Sequence, residues 1–250
     1  MKLLKDIYYS EESIPEKSLD VYLPDEECKA AFLYIHGGGI EAGDKADMRR
    51  EGEYLAEHGY AFISINYRMY PNARFPEFIS DSAQACAWAK KNMQGLCRCD
   101  KLYVGGSSAG GYISMMLCFD KRYYDAVGIS NSDIAGYWHD AGQPTNHFNV
   151  LKYEGFDSRR VIIDERAPLY FVGIEKEYPP MRFIVSDNDM TGRYEQTMLL
   201  LKTLEHFGYK HYDHYVAHGR HCEYFNKRND DGTTVSSHMI EDFLLNADTI

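Results

Sequence analysis

The stretch Val104-Gly105-Gly106-Ser107-Ser108-Ala109-Gly110-Gly111 decides how this sequence is interpreted. It contains the pattern Gly-x-Ser-x-Gly, and Ser108 is its central residue. Apolar residues predict a short strand over 102–104, and apolar side chains at helical spacing predict a helix over 109–119. A serine between a strand and a helix is typical of a nucleophile held in a tight turn, where glycines two residues away on each side prevent collisions.

Two neighbouring serines compete for this position. Only Ser108 has a glycine two residues away on each side, so Ser108 is the predicted nucleophile. Ser107 is predicted to face a neighbouring strand or the substrate, and it stays a candidate substrate-binding residue. The N–H of Ala109 lies at the start of the predicted helix, where it is able to stabilise a developing negative charge.

A second glycine-rich segment, His36-Gly37-Gly38-Gly39, follows an apolar strand predicted over 30–35. Consecutive glycines let the backbone approach a ligand closely and point N–H groups towards it. The alternative is a flexible turn, but the position after a strand and upstream of the serine favours an oxyanion hole. Gly38 and Gly39 are therefore the predicted donors, together with Ala109.

Acidic and basic candidates come late in the chain. Asp187 and Asp189 lie just past one predicted strand, and His218 and His221 lie past the next. Serine hydrolysis needs a histidine to take the hydroxyl proton and a carboxylate to orient that histidine. The order serine, acid, histidine fits the α/β-hydrolase arrangement, while the residues alone leave both pairs of alternatives open.

The wider pattern alternates short apolar runs with amphipathic segments and no linker or repeat divides it. This alternation predicts an α/β fold, with a mostly parallel central sheet, helices on both faces and an antiparallel edge in the first forty residues. The predicted strands include 60–65, 126–129 and 182–185, and the other predicted helices are 81–93, 193–207 and 238–245. Arg68 and Asp81 are expected to form a structural ion pair or a cap.

The stretch between Ser130 and Pro180 has weak periodicity and many aromatic residues. Loops of this length in a compact domain are often lids. We therefore predict one domain, 1–250, with a lid insertion at about 131–180. Tyr137 and Trp138 are its candidate substrate-binding residues, although the same aromatic side chains would also suit the underside of a lid.

Composition excludes some function classes. The 250 residues carry 27 basic and 38 acidic side chains, a net charge of −11, and the pI is about 5.4. Such a chain has no excess of cations to bind a phosphate backbone, so no nucleic-acid partner is expected. No apolar run approaches the length of a membrane span, and the N-terminus lacks a secretory signal pattern.

The six cysteines are scattered and are expected to be reduced thiols, mostly buried, in a cytoplasmic protein. Cys97 and Cys99 are separated by one residue and have no second pair at zinc spacing. No metal site is therefore predicted, and no cofactor is expected.

The sequence resembles α/β-hydrolases of the esterase and lipase group that carry an HGGG motif. It is similar to hormone-sensitive-lipase-like carboxylesterases and to small bacterial esterases of the feruloyl and acetyl-xylan type. The resemblance runs over nearly the whole chain, and the residues that carry it are His36, Asn66-Tyr67-Arg68, Pro76, Asp81, Trp88, Ser108, Asp189 and His221. Many hormone-sensitive-lipase relatives have an acidic residue where this chain has Ser107.

The resemblance implies a serine hydrolase, and it selects the acid and the base. The acid of such enzymes lies a few residues beyond the strand, which favours Asp189 over Asp187. Their histidine follows a glycine by two positions, as His221 follows Gly219. The implied substrate is a small ester with a short or aromatic acyl group. An amide-cleaving enzyme (an arylformamidase or a peptidase) and an inactive ligand-binding relative are the alternatives, and the sequence assigns no oligomeric state.

Overall fold

Eight strands form one sheet in the computed structural model, which describes residues 1–250. The strands are β1 (Lys2–Tyr8), β2 (Ser18–Leu23), β3 (Ala30–Ile35), β4 (Tyr60–Ile65), β5 (Leu102–Ser107), β6 (Gly136–Asp140), β7 (Met181–Asn188) and β8 (Tyr212–Arg220). Their order across the sheet is β1-β2-β4-β3-β5-β6-β7-β8. The pairs β1–β2 and β2–β4 are antiparallel, and every other pair is parallel. The predicted mostly parallel sheet with an antiparallel edge is confirmed.

Helices cover both faces of the sheet. They are α1 (Arg49–Glu57), α2 (Glu77–Cys97), α3 (Ala109–Phe119), α4 (Arg122–Asp125), α5 (Phe148–Tyr153), α6 (Pro168–Phe171), α7 (Arg193–Phe207) and α8 (Val235–Asn246). Side chains alternate along β3, so that Leu33 belongs to a hydrophobic cluster shared with α2, α3 and α7, while Phe32 belongs to a second cluster shared with α1 and α8. None of these helices combines the length and the apolarity that crossing a membrane would require.

Most of the predicted elements are found where the sequence places them. Strands 30–35 and 60–65 and helices 109–119 and 193–207 have the predicted bounds. The helix predicted from residue 81 begins four residues earlier, because the Asp81 carboxylate does not cap it. That carboxylate instead accepts from Nε of Arg68 at 2.8 Å, which confirms the structural ion pair.

The sixth strand corrects two predictions. Residues 126–129 form no strand, and the strand is instead residues 136–140, inside the predicted lid insertion. The substrate-binding roles predicted for Tyr137 and Trp138 were therefore wrong, because both side chains are fully buried on opposite faces of the sheet. The Tyr137 hydroxyl donates to Oδ1 of Asn131 at 2.6 Å, which fixes it in the core.

Residues 141–180 connect β6 to β7 and reach the loop after β3. Nδ2 of Asn149, in α5, donates to the carbonyl oxygen of Gly39 at 2.7 Å and to Glu41 at 3.0 Å. The Lys152 ammonium and the Tyr153 hydroxyl also contact the Glu41 carboxylate, at 2.7 and 2.8 Å. This connection therefore braces the glycine-rich loop from its outer side.

Candidate active site

Ser108 occupies the sharp turn between β5 and α3. Its backbone has φ 57° and ψ −114°, a conformation that a non-glycine residue adopts only under constraint. A Cβ at Gly106 would lie 2.4 Å from the carbonyl oxygen of Ile35, and one at Gly110 would lie 1.9 Å from the same atom. Only glycine fits at these two positions, which explains physically why the motif needs them.

Three side chains from separate segments form one hydrogen-bonded series. The Oγ of Ser108 lies 2.9 Å from Nε2 of His221, and Nδ1 of His221 lies 2.6 Å from Oδ1 of Asp189. Ser108 follows β5, Asp189 follows β7, and His221 follows β8. Because the carboxyl ends of parallel strands meet at one edge of a sheet, these distant residues are brought together.

The rival acid and base lie together elsewhere. Asp187 accepts a hydrogen bond from the N–H of Gly219 at 2.9 Å, and its carboxylate also contacts Nδ1 of His218. The His218 side chain is 97% exposed and has no contact with Ser108. Two Asp–His pairs therefore form where β7 and β8 end, and only Asp189–His221 lies beside Ser108.

The environment of Asp189 suits a permanently ionised carboxylate. Its side chain is fully buried, and burial by itself would raise the pKa of Asp189. The hydrogen bond and the charge of His221 outweigh this effect and hold that pKa below its ordinary value. The N–H of Met190 donates at 2.7 Å to Oδ1 of Asp189, the oxygen that also contacts His221, and adds to the stabilisation of the anion.

The glycine loop lies against the serine. Gly37 approaches so closely that an added Cβ would be 3.3 Å from Cβ of Ser108. Gly38 and Gly39 have φ values of 100° and 67°, and their N–H groups donate to no other part of the protein, nor does that of Ala109. Three free N–H groups therefore border the serine, as an oxyanion hole requires.

Ser107 belongs to a buried polar network beneath Ser108. Its hydroxyl accepts from the Tyr34 hydroxyl at 2.7 Å and donates to Oδ2 of Asp140. The Tyr224 hydroxyl donates to the other oxygen of Asp140, and the N–H of Ser108 donates to the Asp140 carbonyl oxygen at 2.8 Å. The sequence did not single out Asp140, because nothing in its neighbourhood distinguishes it from a surface carboxylate.

Burial raises the pKa of Asp140 from 3.8 to about 7, despite the hydrogen bonds from Ser107 and Tyr224. Between these two values the unfolded chain loses its proton before the folded protein does, so this group destabilises the fold increasingly as the pH rises. Asp140→Asn keeps the shape of the side chain but does not ionise. We expect the unfolding free energy of wild type, relative to this variant, to fall by up to about 1.4 kcal/mol per pH unit across that window.

Urea unfolding at about pH 4.5 and about pH 8 measures this difference, since the other titrating residues are common to both proteins. Equal pH dependence in the two proteins would show that Asp140 does not carry the proton.

The serine opens into a cavity of about 560 Å³. Its apolar and charged walls are formed by Met48, Phe148, Met190, Phe225, Asp47, Arg50 and Glu51, of which the sequence suggested only Phe148, among the aromatic residues between Ser130 and Pro180. These residues lie in loops or at helix ends, where periodicity carries no signal. Ser107 does line the cavity, whereas Tyr137 and Trp138 do not.

Comparisons with known proteins find similarity to esterases. A family model described as BD-FAE matches residues 19–131, which include the glycine loop and Ser108. An acetyl esterase from Salmonella dublin is 28% identical over 223 residues, which cover 82% of this chain and 65% of the esterase. The chain spans 34%, 21% and 65% of the length of three curated relatives that it matches.

Solved esterase structures share the fold. A truncated carbohydrate esterase from gut microbiota superimposes with a TM-score of 0.80 at 19% identity, covering 100% of this chain and 97% of that one. A thermophilic esterase from the Planctomycetes species Thermogutta terrifontis, with propionate bound, gives a TM-score of 0.74 at 18% identity, covering 98% and 93% of the two chains. The whole chain is therefore accounted for by one known architecture.

Proposed function

We propose that this chain is a carboxylesterase with the α/β-hydrolase fold and that it hydrolyses small carboxylic esters through a serine-linked acyl intermediate. The observation that carries the proposal is the series Asp189–His221–Ser108, which ends at a cavity bordered by free N–H groups. A nucleophile, its base and the residue that orients the base are thus within hydrogen-bond distance of one another.

In the first half of the reaction, Oγ of Ser108 attacks the ester carbonyl carbon while Nε2 of His221 takes the hydroxyl proton. Asp189 stabilises the imidazolium that forms, and the N–H groups of Gly38, Gly39 and Ala109 bind the negative carbonyl oxygen. Collapse of the tetrahedral intermediate breaks the bond to the alcohol oxygen. His221 gives its proton to that oxygen, and the alcohol leaves.

In the second half, water replaces the alcohol. His221 takes a proton from water, and the resulting hydroxide attacks the carbonyl carbon of the acyl-serine. The same three N–H groups bind the oxygen that becomes negative again. Breaking the bond to Oγ releases the carboxylic acid, and the proton on His221 returns to Ser108.

The size of the cavity supports a short or aromatic acyl group. Its volume of about 560 Å³ lies in the lower half of the range of about 300–1,000 Å³ that is usual for small-molecule sites. Phe148, Met190 and Phe225 provide apolar surface, whereas Asp47 and Arg50 place charges in the same wall. A long fatty chain would have to lie against those charges and desolvate them. The acetyl esterase relative and the propionate-bound structure agree with a short acyl group.

A series of p-nitrophenyl esters tests the acyl preference. We expect kcat/KM for acetyl, propionyl or benzoyl esters to exceed that for the dodecanoyl ester by at least about tenfold, which corresponds to 1.4 kcal/mol. Ser108→Ala measured in parallel subtracts any contaminating esterase. An optimum at dodecanoyl would contradict the proposed substrate class, and faster cleavage of the matching p-nitroanilide would contradict ester hydrolysis itself.

A further inference from the structure

Three free thiols meet at the amino ends of the central strands β3 and β5, on the side of the sheet opposite the candidate active site. The sulfurs of Cys28, Cys97 and Cys99 all lie within 4.8 Å of one another, and those of Cys97 and Cys99 are 3.3 Å apart. Cys28 precedes β3, and Cys99 precedes β5, its parallel neighbour. The amino ends of adjacent parallel strands therefore bring together residues that are about seventy positions apart.

The backbone bends specifically between the two neighbouring cysteines. Cys97 is the last residue of α2, and Arg98 has φ 57° and ψ 32°, in the left-handed region. A non-glycine residue in this region costs about 1–2 kcal/mol. The bend is what turns the thiols of Cys97 and Cys99 towards each other and towards Cys28, because without it the helix would carry them apart.

The cluster is accessible and consists of sulfur ligands only. Cys97 is partly exposed, whereas Cys28 and Cys99 are buried. Cys97 and Cys28 both line a surface groove. Asp25 and Arg98 also line this groove, but no histidine or carboxylate completes the group of thiols. Structural zinc sites almost always have four ligands, so this set matches zinc poorly.

We propose that Cys28, Cys97 and Cys99 form a binding site for one soft, monovalent metal ion in three-coordinate geometry, with Cu(I) as the preferred ion. Thiolate sulfur selects Cu(I) among the biological metals. Three sulfurs each about 2.3 Å from a central ion would lie about 4 Å apart, which the observed cluster reaches with small side-chain rotations. Each thiol that becomes a ligand releases its proton to solvent, and no electron is transferred.

This site is separate from ester hydrolysis. Ser108 lies at the carboxyl end of β5, and Cys99 precedes the amino end of the same strand. The strand therefore separates the two sites, and copper binding is measured without any ester. The result does not depend on whether the proposed esterase function is correct.

Titration with the Cu(I)–bicinchoninate complex, carried out anaerobically after the reductant has been removed, tests the site. We expect wild type to withdraw one Cu(I) per chain, and X-ray absorption to show three sulfur neighbours. Cys97→Ser and Cys28→Ser should each weaken binding by more than about 100-fold, the largest loss usual for outer-shell changes. Cys118→Ala, which removes a buried thiol outside the cluster, should bind as wild type does.

Circular dichroism of the apo proteins shows whether each variant is folded, and Cys97→Ser changes only a partly exposed side chain. Failure of wild type to withdraw Cu(I) would overturn the proposal, and so would full binding by folded Cys97→Ser and Cys28→Ser. Tighter binding of Zn(II) than of Cu(I) would overturn the assignment to a three-coordinate ion.

Discussion

Ser108→Ala is expected to lower kcat for p-nitrophenyl acetate by about a million-fold, the loss measured when the nucleophile of unrelated serine hydrolases is removed. The variant lacks the oxygen that forms the acyl bond, so His221 has no proton to take and no intermediate is made. The glycine loop and the cavity remain, and they leave a small residual rate over water. Steady-state kinetics on protein from a host without background esterase measures the loss.

The matched control is Ser107→Ala, which removes a hydroxyl from the adjacent position. Ser107 is bonded to Tyr34 and Asp140 in the buried network, so this change should affect stability more than chemistry. We expect a fluorophosphonate probe to label wild type and Ser107→Ala but not Ser108→Ala. If labelling disappears in Ser107→Ala but persists in Ser108→Ala, the nucleophile is Ser107 and the assignment of Ser108 is wrong.

The elements that were predicted correctly depend on local chemistry. Strands 30–35 and 60–65 are almost entirely apolar, because a central strand of the sheet is buried on both faces. The turn at Ser108 was recognisable because the Gly-x-Ser-x-Gly pattern itself lies within five residues, although the atom that excludes a Cβ at both glycines is the Ile35 carbonyl oxygen on β3. Such signals are complete within a short window of sequence.

The missed strand, β6, depends on distant partners. It contains His139 and Asp140, which are polar and yet fully buried. Nδ1 of His139 is hydrogen-bonded to Ser114, 25 residues away, and Asp140 accepts from Tyr224, 84 residues away. A pattern of apolar residues does not reveal partners at these separations, so the strand was assigned to residues 126–129 instead.

The choice of acid shows the same limit within the candidate site. Asp187 and Asp189 are two residues apart, so alternation along a strand assigns them to the same face. The structure separates them because β7 ends at Asn188, which leaves Asp189 in the following turn. Only the resemblance to known esterases favoured Asp189 beforehand. The third thiol of the cysteine cluster was equally beyond reach, since Cys28 is remote from Cys97 in sequence.

Asp189→Asn is expected to lower kcat by about 10⁴-fold with little change in KM, by analogy with the same substitution in other triads. The amide offers Nδ1 of His221 either an oxygen or an NH₂ group. Facing the NH₂ group, Nδ1 must be the acceptor, so Nε2 carries the proton and is unable to take one from Ser108. The loss of negative charge also removes the stabilisation of the imidazolium that forms in the transition state.

The paired control for that loss is Asp187→Asn, because it makes the same change two residues earlier in the second Asp–His pair. Asp187 is bonded to the exposed His218 and to the N–H of Gly219, and an amide oxygen still accepts from that N–H. We expect less than about a tenfold change in kcat, since a surface pair contributes only about 0–1 kcal/mol. A larger loss of kcat in Asp187→Asn than in Asp189→Asn would show that Asp187, and not Asp189, orients His221. Equal losses would show instead that both carboxylates position the end of β8 and His221, which directly follows it.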